Sequence, residues 1–297
     1  MTIGICGTGK MGAAMAERLM DEGKDIAVWN RTPDRADPLV ESGATRCGTP
    51  KELAAACDTV IVMLIDDEAV ERAYRNEDGL LASGLEGKLV IEMSTVLPKT
   101  ITSLAAVVHE VGGAFIECPV GGTVPPARNG QLLGMAGGAD EDVARARPLL
   151  EKLCRRLDHV GPVGAGAAMK LAINLPLSVY WLALGEALAI TEDAGVDSEL
   201  ALDILCDSSG ASKVAGLFQP GILQSLGGDV PEGAVFEVSG AAKDIHLMTT
   251  LAREKGFALP VITEAEKLYD AAINDGWADR NFPLLAAWYA KRIGARG

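Results

Sequence analysis

The stretch IGICGTGKMG near the start of the chain constrains the fold more than any other. A short apolar run leads directly into Gly7, Gly9 and Gly12, in the spacing G-x-G-x-x-G, and a helix-like segment follows. In a strand–loop–helix unit the first glycine permits a tight turn, the second lets the backbone approach a pyrophosphate, and the third lets helix and strand pack closely. The N-H groups at the helix N-terminus then face the anion. This context predicts a dinucleotide site that includes Lys10 and Met11; the alternative is a turn without a ligand.

Short apolar runs alternate with amphipathic segments from Thr2 to about Val160. The runs are IGIC, DIAVW, TVIVMLI, KLVIEMS, AFIECPV and LLGMAGG. Such alternation predicts βαβ units and a parallel sheet. After the glycine-rich stretch VGPVGAGA, long Ala/Leu/Glu-rich periodic segments replace the strand signals. We therefore expect an α/β chain, with an N-terminal Rossmann domain over residues 1–161 and an all-α C-terminal domain over residues 162–297.

Two segments are predicted as helices, one exposed to solvent and one buried. EDVARARPLLEKLCRR is expected to be a solvated amphipathic helix. LPLSVYWLALGEALAI is the most lipid-like segment, but Pro176, Ser178 and Glu186 interrupt it, and a membrane span needs about 20 apolar residues. A buried helix is predicted there. The N-terminal run TIGIC is too short for the apolar core of an export signal.

Composition narrows the class of partner. The chain has 297 residues, with 41 acidic against 27 basic side chains and a formal net charge of -14. This charge repels nucleic-acid phosphates and anionic membranes, so a small molecule is the expected partner. Six dispersed cysteines without a CxxC pair, and only three histidines, indicate neither a metal site nor a disulfide framework. Reduced thiols in the cytoplasm fit this pattern.

The end of the second strand carries the information on cofactor choice. An NAD site presents Asp or Glu there to the ribose 2'-hydroxyl, whereas this chain has Asn30, followed by Arg31 and Thr32. A carboxylate would repel a 2'-phosphate, but an amide, a hydroxyl and a guanidinium can bind one. The sequence predicts NADP(H) over NAD. The alternative is that Arg31 is an ordinary solvated surface charge.

The segment AMKLAIN places Lys170 in an apolar stretch, with Asn174 four residues further on. If a helix opens near Gly166, the two side chains lie on one face, one turn apart, and can contact one ligand. Beside a dry nicotinamide pocket, desolvation would disfavour the ammonium form and ease proton exchange with an alcohol or carbonyl oxygen. The alternative is a lysine whose stem packs on apolar surface while its charge reaches water.

Motifs in a fixed order now support a resemblance. GTGKMG, MSTVLP, ECPVGGT, GAGAAMKLAIN and KDIHL resemble the motif set of the β-hydroxyacid dehydrogenases, over nearly the whole chain. VWNRT together with MKLxxN is most similar to the NADPH-dependent glyoxylate/succinic semialdehyde reductase branch of this family. The resemblance implies a Rossmann domain, a long interdomain helix and an all-helical domain that dimerises.

The resemblance also implies roles for individual residues. Lys170 matches the family's general acid, and Asn174 matches an asparagine that orients the substrate. The substrate-side positions implied are Ser94 and a carboxylate-binding loop of Gly121, Gly122 and Thr123. The cofactor-side positions implied are Met63, Leu64, Thr95 and Lys243, the last with Asp244 as a structural partner. Gly121 stands where the family usually has serine, and Ile173, Tyr180 and Trp181 make the expected pocket less polar.

The predicted function is reduction of a short aldehyde or keto acid by NADPH, with Lys170 supplying the proton. An imine reductase acting on cyclic imines is the nearest alternative, but those enzymes usually have Asp or Tyr in place of the lysine. A catalytically silent NADP-binding module is the alternative from another class, and Lys170 and Asn174 argue against it. We expect a homodimer, because the helical half carries more apolar surface than about 135 residues can cover alone.

Overall fold

The computed structural model describes residues 2–294. Met1 and residues 295–297, the outer ends of the two predicted domains, lie outside this range. The chain divides into two compact units, residues 1–171 and 172–297. The predicted domain boundary after Gly161 falls at the end of a strand, upstream of the division between the units.

The first unit is built on alternating strands and helices. Its strands are β1 (Thr2–Cys6), β2 (Asp25–Trp29), β3 (Thr45–Arg46), β4 (Thr59–Val62), β5 (Leu89–Glu92), β6 (Ala114–Glu117), β7 (Val120–Gly121), β8 (Leu132–Gly137) and β9 (Cys154–Gly161). Its helices are α1 (Lys10–Asp21), α2 (Asp37–Glu41), α3 (Pro50–Ala56), α4 (Asp67–Arg75), α5 (Pro98–Glu110), α6 (Val124–Arg128) and α7 (Asp140–Leu150), and α8 (Ala165–Asp193) starts there.

The strands of the described residues form one sheet in the order β3-β2-β1-β4-β5-β6-β8-β7, with β9 paired to β8. Strands β1 to β6 are parallel, as the alternation predicted. The expectation of an entirely parallel sheet is wrong at the far edge, because β8 runs antiparallel to β6 and β7. Only residues 122–131, which include the single-turn α6, join the end of β7 to the start of β8, and a parallel crossover takes a dozen or more residues.

Buried side chains on both faces of the sheet explain why the strands read as continuous apolar runs. On one face Ile3, Ile61 and Ile91 pack with residues of α1 and α7. On the other face the neighbouring positions Val60 and Val90 pack with residues of α3, α4 and α5. This alternation between two helix layers is that of a Rossmann domain.

The second unit is helical, and the all-α prediction is confirmed for its described residues. After the end of α8 come α9 (Ser198–Asp207), α10 (Ala215–Leu226), α11 (Val238–Lys255), α12 (Pro260–Ala272) and α13 (Leu285–Gly294). Aromatic rings fill its core: the Trp181 ring packs edge-on against Phe218 and Phe282, with centroids 5.6 and 6.0 Å apart.

Helix α8 contains the segment that the sequence predicted as a buried helix, and one side of it is exposed in the single chain. Trp181, Leu184 and Leu188 are buried, but only 33% of its most apolar 18-residue window is buried in the chain. It is the one helix of the described residues with the length and hydropathy of a membrane span, which by itself is weak evidence because helices in protein cores pass the same test. Ile190, 71% exposed, marks its apolar exposed side.

Candidate cofactor and active site

The glycine loop joins β1 to α1 as the spacing predicted. Gly7 has a φ of +105°, and a Cβ there would lie 2.3 Å from the carbonyl oxygen of Met63. A Cβ on Gly12 would lie 1.9 Å from the carbonyl oxygen of Gly7. A Cβ on Gly9 would meet nothing within 4 Å. The fold therefore requires glycine at positions 7 and 12, whereas the space over Gly9 is left for a ligand.

Two further features of this loop fit a pyrophosphate. The hydroxyl oxygen of Thr8 is buried and has no hydrogen-bond partner in the described protein. Gly9 is the N-cap residue of α1 and supplies no side-chain acceptor, and the first turn of the helix carries no acidic residue. A helix N-terminus and a hydroxyl without a protein partner are groups that can bind an anion. The residues present fit a dinucleotide cofactor.

Asn30 plays a structural part that the sequence did not reveal. Its Oδ1 accepts a hydrogen bond from the N-H of Thr8 at 3.0 Å, and its Nδ2 donates to the carbonyl oxygen of Thr32 at 2.9 Å. The side chain therefore ties the glycine loop to the end of β2. Arg31 and Thr32 are exposed beside it, and no carboxylate occupies the position after β2.

The loops after β4 and β5 lie beside the glycine loop. The N-H of Met63 donates to the carbonyl oxygen of Cys6, and the N-H of Leu64 donates to Ser94 Oγ at 2.8 Å. Ser94 is 1% exposed, so its hydroxyl joins two loops of the protein. The predicted substrate contact of Ser94 stays a prediction that this geometry does not support. Thr95, the next residue, is half-buried.

The sequence reasoning missed a pair of buried carboxyl groups. Glu92 and Glu117 are the last residues of β5 and β6, stand side by side in the sheet and are both 0% exposed. Tyr74 donates its hydroxyl to Glu92 Oε2 at 3.0 Å. Burial raises the pKa of each glutamate to about 7, and the charge of Glu117 adds to the effect at Glu92. The available signal was a glutamate that closes an otherwise apolar strand, in LVIE and AFIE.

Glu117 meets the beginning of α8. Its Oε1 accepts hydrogen bonds from the N-H groups of Gly164 and Gly166, and its Oε2 accepts one from the N-H of Ala167 at 2.8 Å. Helix α8 starts at Ala165, which confirms the helix expected near Gly166. Lys170 is half-buried on its second turn.

A second polar cluster lies in the helical unit. Asn174 donates from Nδ2 to Asp244 Oδ2 at 2.8 Å, and Lys243 Nζ lies 3.0 Å from Asp244 Oδ1. Asp244 is 4% exposed. One buried carboxylate on α11 therefore orients both the predicted substrate-side asparagine and the predicted cofactor-side lysine.

The predicted carboxylate-binding loop follows β6. Gly121 ends β7 and pairs with Leu133 of β8. Gly122 has a φ of +127°, and a Cβ there would approach Leu132 to 2.8 Å, so its backbone requires glycine. Thr123 precedes α6 without capping it through its hydroxyl. The role of the loop in substrate binding stays a prediction.

Comparison with known proteins identifies the family. Residues 2–161 match the family model of the NAD-binding domain of 6-phosphogluconate dehydrogenase, and residues 164–289 match that of NADP-dependent 3-hydroxyisobutyrate dehydrogenase. The chain belongs to the β-hydroxyacid dehydrogenase family. It is an NAD(P)-dependent oxidoreductase, and the Rossmann and helical parts predicted from its sequence are those of the family.

Relatives of this dehydrogenase cover almost its full length. Glyoxylate/succinic semialdehyde reductase 1 of Arabidopsis thaliana is 33% identical over 96% of this chain and 97% of the relative. NAD-dependent L-serine dehydrogenase of Pseudomonas aeruginosa is 32% identical over 95% of this chain and 96% of the relative. A structure of Mycobacterium tuberculosis 3-hydroxyisobutyrate dehydrogenase with L-serine has a TM-score of 0.84 and 27% identity over 96% of this chain and 97% of that one. An imine reductase of Streptomyces aurantiacus, with a TM-score of 0.60, 22% identity and coverage of 96% and 98%, shares the fold alone.

Proposed function

We propose that this enzyme uses NADPH to reduce a short aldehyde or keto acid, of the semialdehyde or glyoxylate class, to the hydroxy acid, with Lys170 as general acid. One observation carries the proposal. Lys170 and Asn174 lie one turn apart on α8, and Asn174 is held by the buried Asp244. Side chains four residues apart on a helix can contact the same ligand.

The chemistry needs a hydride and a proton. The nicotinamide supplies the hydride to the carbonyl carbon when the cofactor is bound. The ammonium group of Lys170 donates a proton to the carbonyl oxygen as negative charge develops there, so that the carbonyl becomes an alcohol. Asn174 orients the carbonyl group, since its amide is fixed by Asp244. Backbone N-H groups of Gly121, Gly122 and Thr123 receive the substrate carboxylate.

The preference for NADPH is supported by the end of β2. Asn30 stands where an NAD site has a carboxylate, and the exposed Arg31 and Thr32 offer a guanidinium and a hydroxyl to a 2'-phosphate. The cofactor contacts we propose are Gly7, Gly9, Lys10, Met11, Gly12, Asn30, Arg31, Thr32, Met63, Leu64, Thr95 and Lys243.

The partners we propose are this small-molecule substrate and a second copy of the chain, with neither nucleic acid nor membrane. Exposed apolar side chains of the helical unit support the homodimer: Ile190, Leu200, Ile204 and Leu217 are each more than half exposed. The net charge of -14 disfavours anionic polymers and anionic surfaces. The cytoplasmic location stays a prediction.

A substrate and cofactor screen tests the proposal. Oxidation of NADPH and of NADH is measured with glyoxylate, succinic semialdehyde, methylmalonate semialdehyde and a cyclic imine. We expect turnover of at least one of the carbonyl acids, with NADPH preferred. Arg31→Ala should weaken NADPH binding far more than NADH binding, because only NADPH carries the 2'-phosphate. Turnover of the imine alone would refute the carbonyl-acid proposal, and equal losses for both cofactors would refute the role of Arg31.

A further inference from the structure

The first turn of α8 is capped by a side chain from a distant strand. The residues that open the helix, Gly164 to Ala167, are glycine and alanine and carry no side-chain acceptor for the N-H groups that a helix start leaves without partners. The carboxyl group of Glu117, at the end of β6, accepts hydrogen bonds from three of these residues. It comes from a position 47 to 50 residues earlier in the chain.

The backbone is shaped around this carboxyl group. A Cβ on Gly137 would lie 2.5 Å from Glu117 Oε1, and a Cβ on Gly166 would lie 3.0 Å from Glu117 Cδ and 2.5 Å from the carbonyl oxygen of Met135. Gly164 turns the chain into the helix with a φ of +98°. A side chain at position 137 would collide with the carboxyl group, and one at position 166 would collide with the backbone of Met135 and press on the carboxyl group. The contact is therefore built by two strands and a helix together.

Lys170 depends on this turn for its place. In an α-helix the N-H of residue i+4 bonds to the carbonyl oxygen of residue i, so the turn of Gly166 and Ala167 is the one on which Lys170 is stacked. Glu117 also directly precedes the loop that leads to Gly121. One buried side chain thus links the strand before the predicted substrate loop with the helix that carries the predicted general acid.

We infer that Glu117 is a positioning residue, which fixes the first turn of α8 and through it the place of Lys170. This inference rests on the proposed role of Lys170. Glu117 does not itself touch the reacting atoms; it acts by holding three N-H groups. A displacement of about 1 Å in a catalytic group can cost about 100-fold in rate.

The test is a double-mutant cycle with Glu117→Gln and Lys170→Met. The amide keeps the size of the side chain. Its NH2 group donates and cannot accept, so at least one of the three hydrogen bonds from the N-H groups at the start of α8 is lost. We expect Glu117→Gln alone to lower turnover by about 10- to 100-fold with NADPH and glyoxylate or succinic semialdehyde. In the Lys170→Met background the same substitution should change turnover by less than about two-fold, because its effect passes through the lysine.

Glu92→Gln is the matched control. Glu92 is as buried as Glu117 and stands at the same position in the neighbouring strand. It accepts hydrogen bonds from the Tyr74 hydroxyl and the Ser94 N-H, and none from α8 among the described contacts. It should keep turnover within about two-fold of the wild type. Amide hydrogen exchange over residues 164–170 should be faster in Glu117→Gln and unchanged in Glu92→Gln, and this readout does not depend on activity.

The outcomes separate the inference from the proposed function. If Glu117→Gln lowers turnover by the same factor in both backgrounds, or if Glu92→Gln lowers it as much, Glu117 does not act through Lys170 and the inference is overturned. If Lys170→Met leaves turnover unchanged, it is the proposed function that fails. A loss of turnover confined to the background with Lys170, together with faster exchange at the start of α8, supports the inference.

Discussion

The carboxyl group of Glu92 has no exposed surface, and it lies beside a second buried carboxyl group, that of Glu117. Two adjacent negative charges away from water are unfavourable, so at least one of the pair holds its proton more tightly than an exposed glutamate does. Hydrogen-bond donors favour the charged form of both groups, three N-H groups at Glu117 and those of Ser94 and Tyr74 at Glu92, but the charge of Glu117 also raises the pKa of Glu92. We therefore assign the more tightly held proton to Glu92.

This assignment predicts how stability depends on pH. The pKa of Glu92 is raised from 4.5 to about 7 in the folded protein, so its protonated form stabilises the fold below pH 4.5 and this contribution is lost as the pH rises through 7. In the Glu92→Gln variant this side chain cannot ionise, so the variant does not lose this stability as the pH rises. From pH 4.5 to 8 the variant should gain about 3 kcal/mol in unfolding free energy relative to the wild type.

Chemical denaturation at several pH values measures this difference. Glu77→Gln, a substitution at an exposed residue, is the control for the substitution itself. If the difference in unfolding free energy between Glu92→Gln and the wild type stays constant over this range, the pKa of Glu92 is not raised in the folded protein, and the assignment is wrong.

At the scale of elements, the predictions from sequence succeeded where local pattern decides the structure. The strands β1, β2, β4, β5, β6 and β8 are apolar runs buried on both faces, and the sequence shows them directly. The segment EDVARARPLLEKLCRR was predicted as one solvated helix, and this is wrong: α7 ends at Leu150, Val143 and Ala146 are buried, and β9 begins at Cys154. Half of the residues of β9 are polar, because the strand lies at the edge of the sheet, so its sequence lacks the apolar run that identifies strands such as β1 and β4.

In the candidate site, too, local sequence patterns predict some features and contacts between distant residues determine the others. The place of the glycine loop after β1 and the spacing of Lys170 and Asn174 on one helix could be predicted, because both follow from short sequence patterns, whereas the hydrogen bonds of Asn30 could not. The contacts of Glu117 with α8 and of Asp244 with Asn174 join residues 47 to 70 positions apart, and no local pattern encodes them. The sequence places Ser94 near the site, but only the structure shows that its hydroxyl oxygen accepts a hydrogen bond from the N-H of Leu64.

At the scale of the whole molecule, the helical unit keeps apolar side chains in contact with water. Leu217 of α10 is 77% exposed and Val261 of α12 is 61% exposed. On helix α8, Met169 and Ile190 are likewise exposed. Scattered exposed apolar residues are common, but several on one helical unit are typical of a surface that a partner covers.

Association of two copies is therefore expected to persist in dilute solution. Static light scattering at micromolar concentration should give a mass of at least twice 31.0 kDa. A monomer under these conditions would contradict the homodimer and would leave the exposed face of α8 without its proposed partner.

The central claim is that Lys170 gives the proton to the substrate, and turnover by Lys170→Met tests it most directly. Methionine keeps the length and apolar packing of the stem but has no proton to donate. We expect turnover to fall by about two to four orders of magnitude. NADPH affinity should stay within a few-fold, because the proposed phosphate contacts lie in the loop from Gly7 to Gly12.

Two controls accompany this measurement. Thermal melting checks that the variant folds, since removal of a half-buried charge alters stability in either direction. Lys24→Met, which removes a half-buried lysine beyond the far end of α1, should leave turnover unchanged. The account predicts a folded Lys170→Met protein that binds NADPH and barely reduces its substrate; a folded variant that works at nearly the wild-type rate would contradict it.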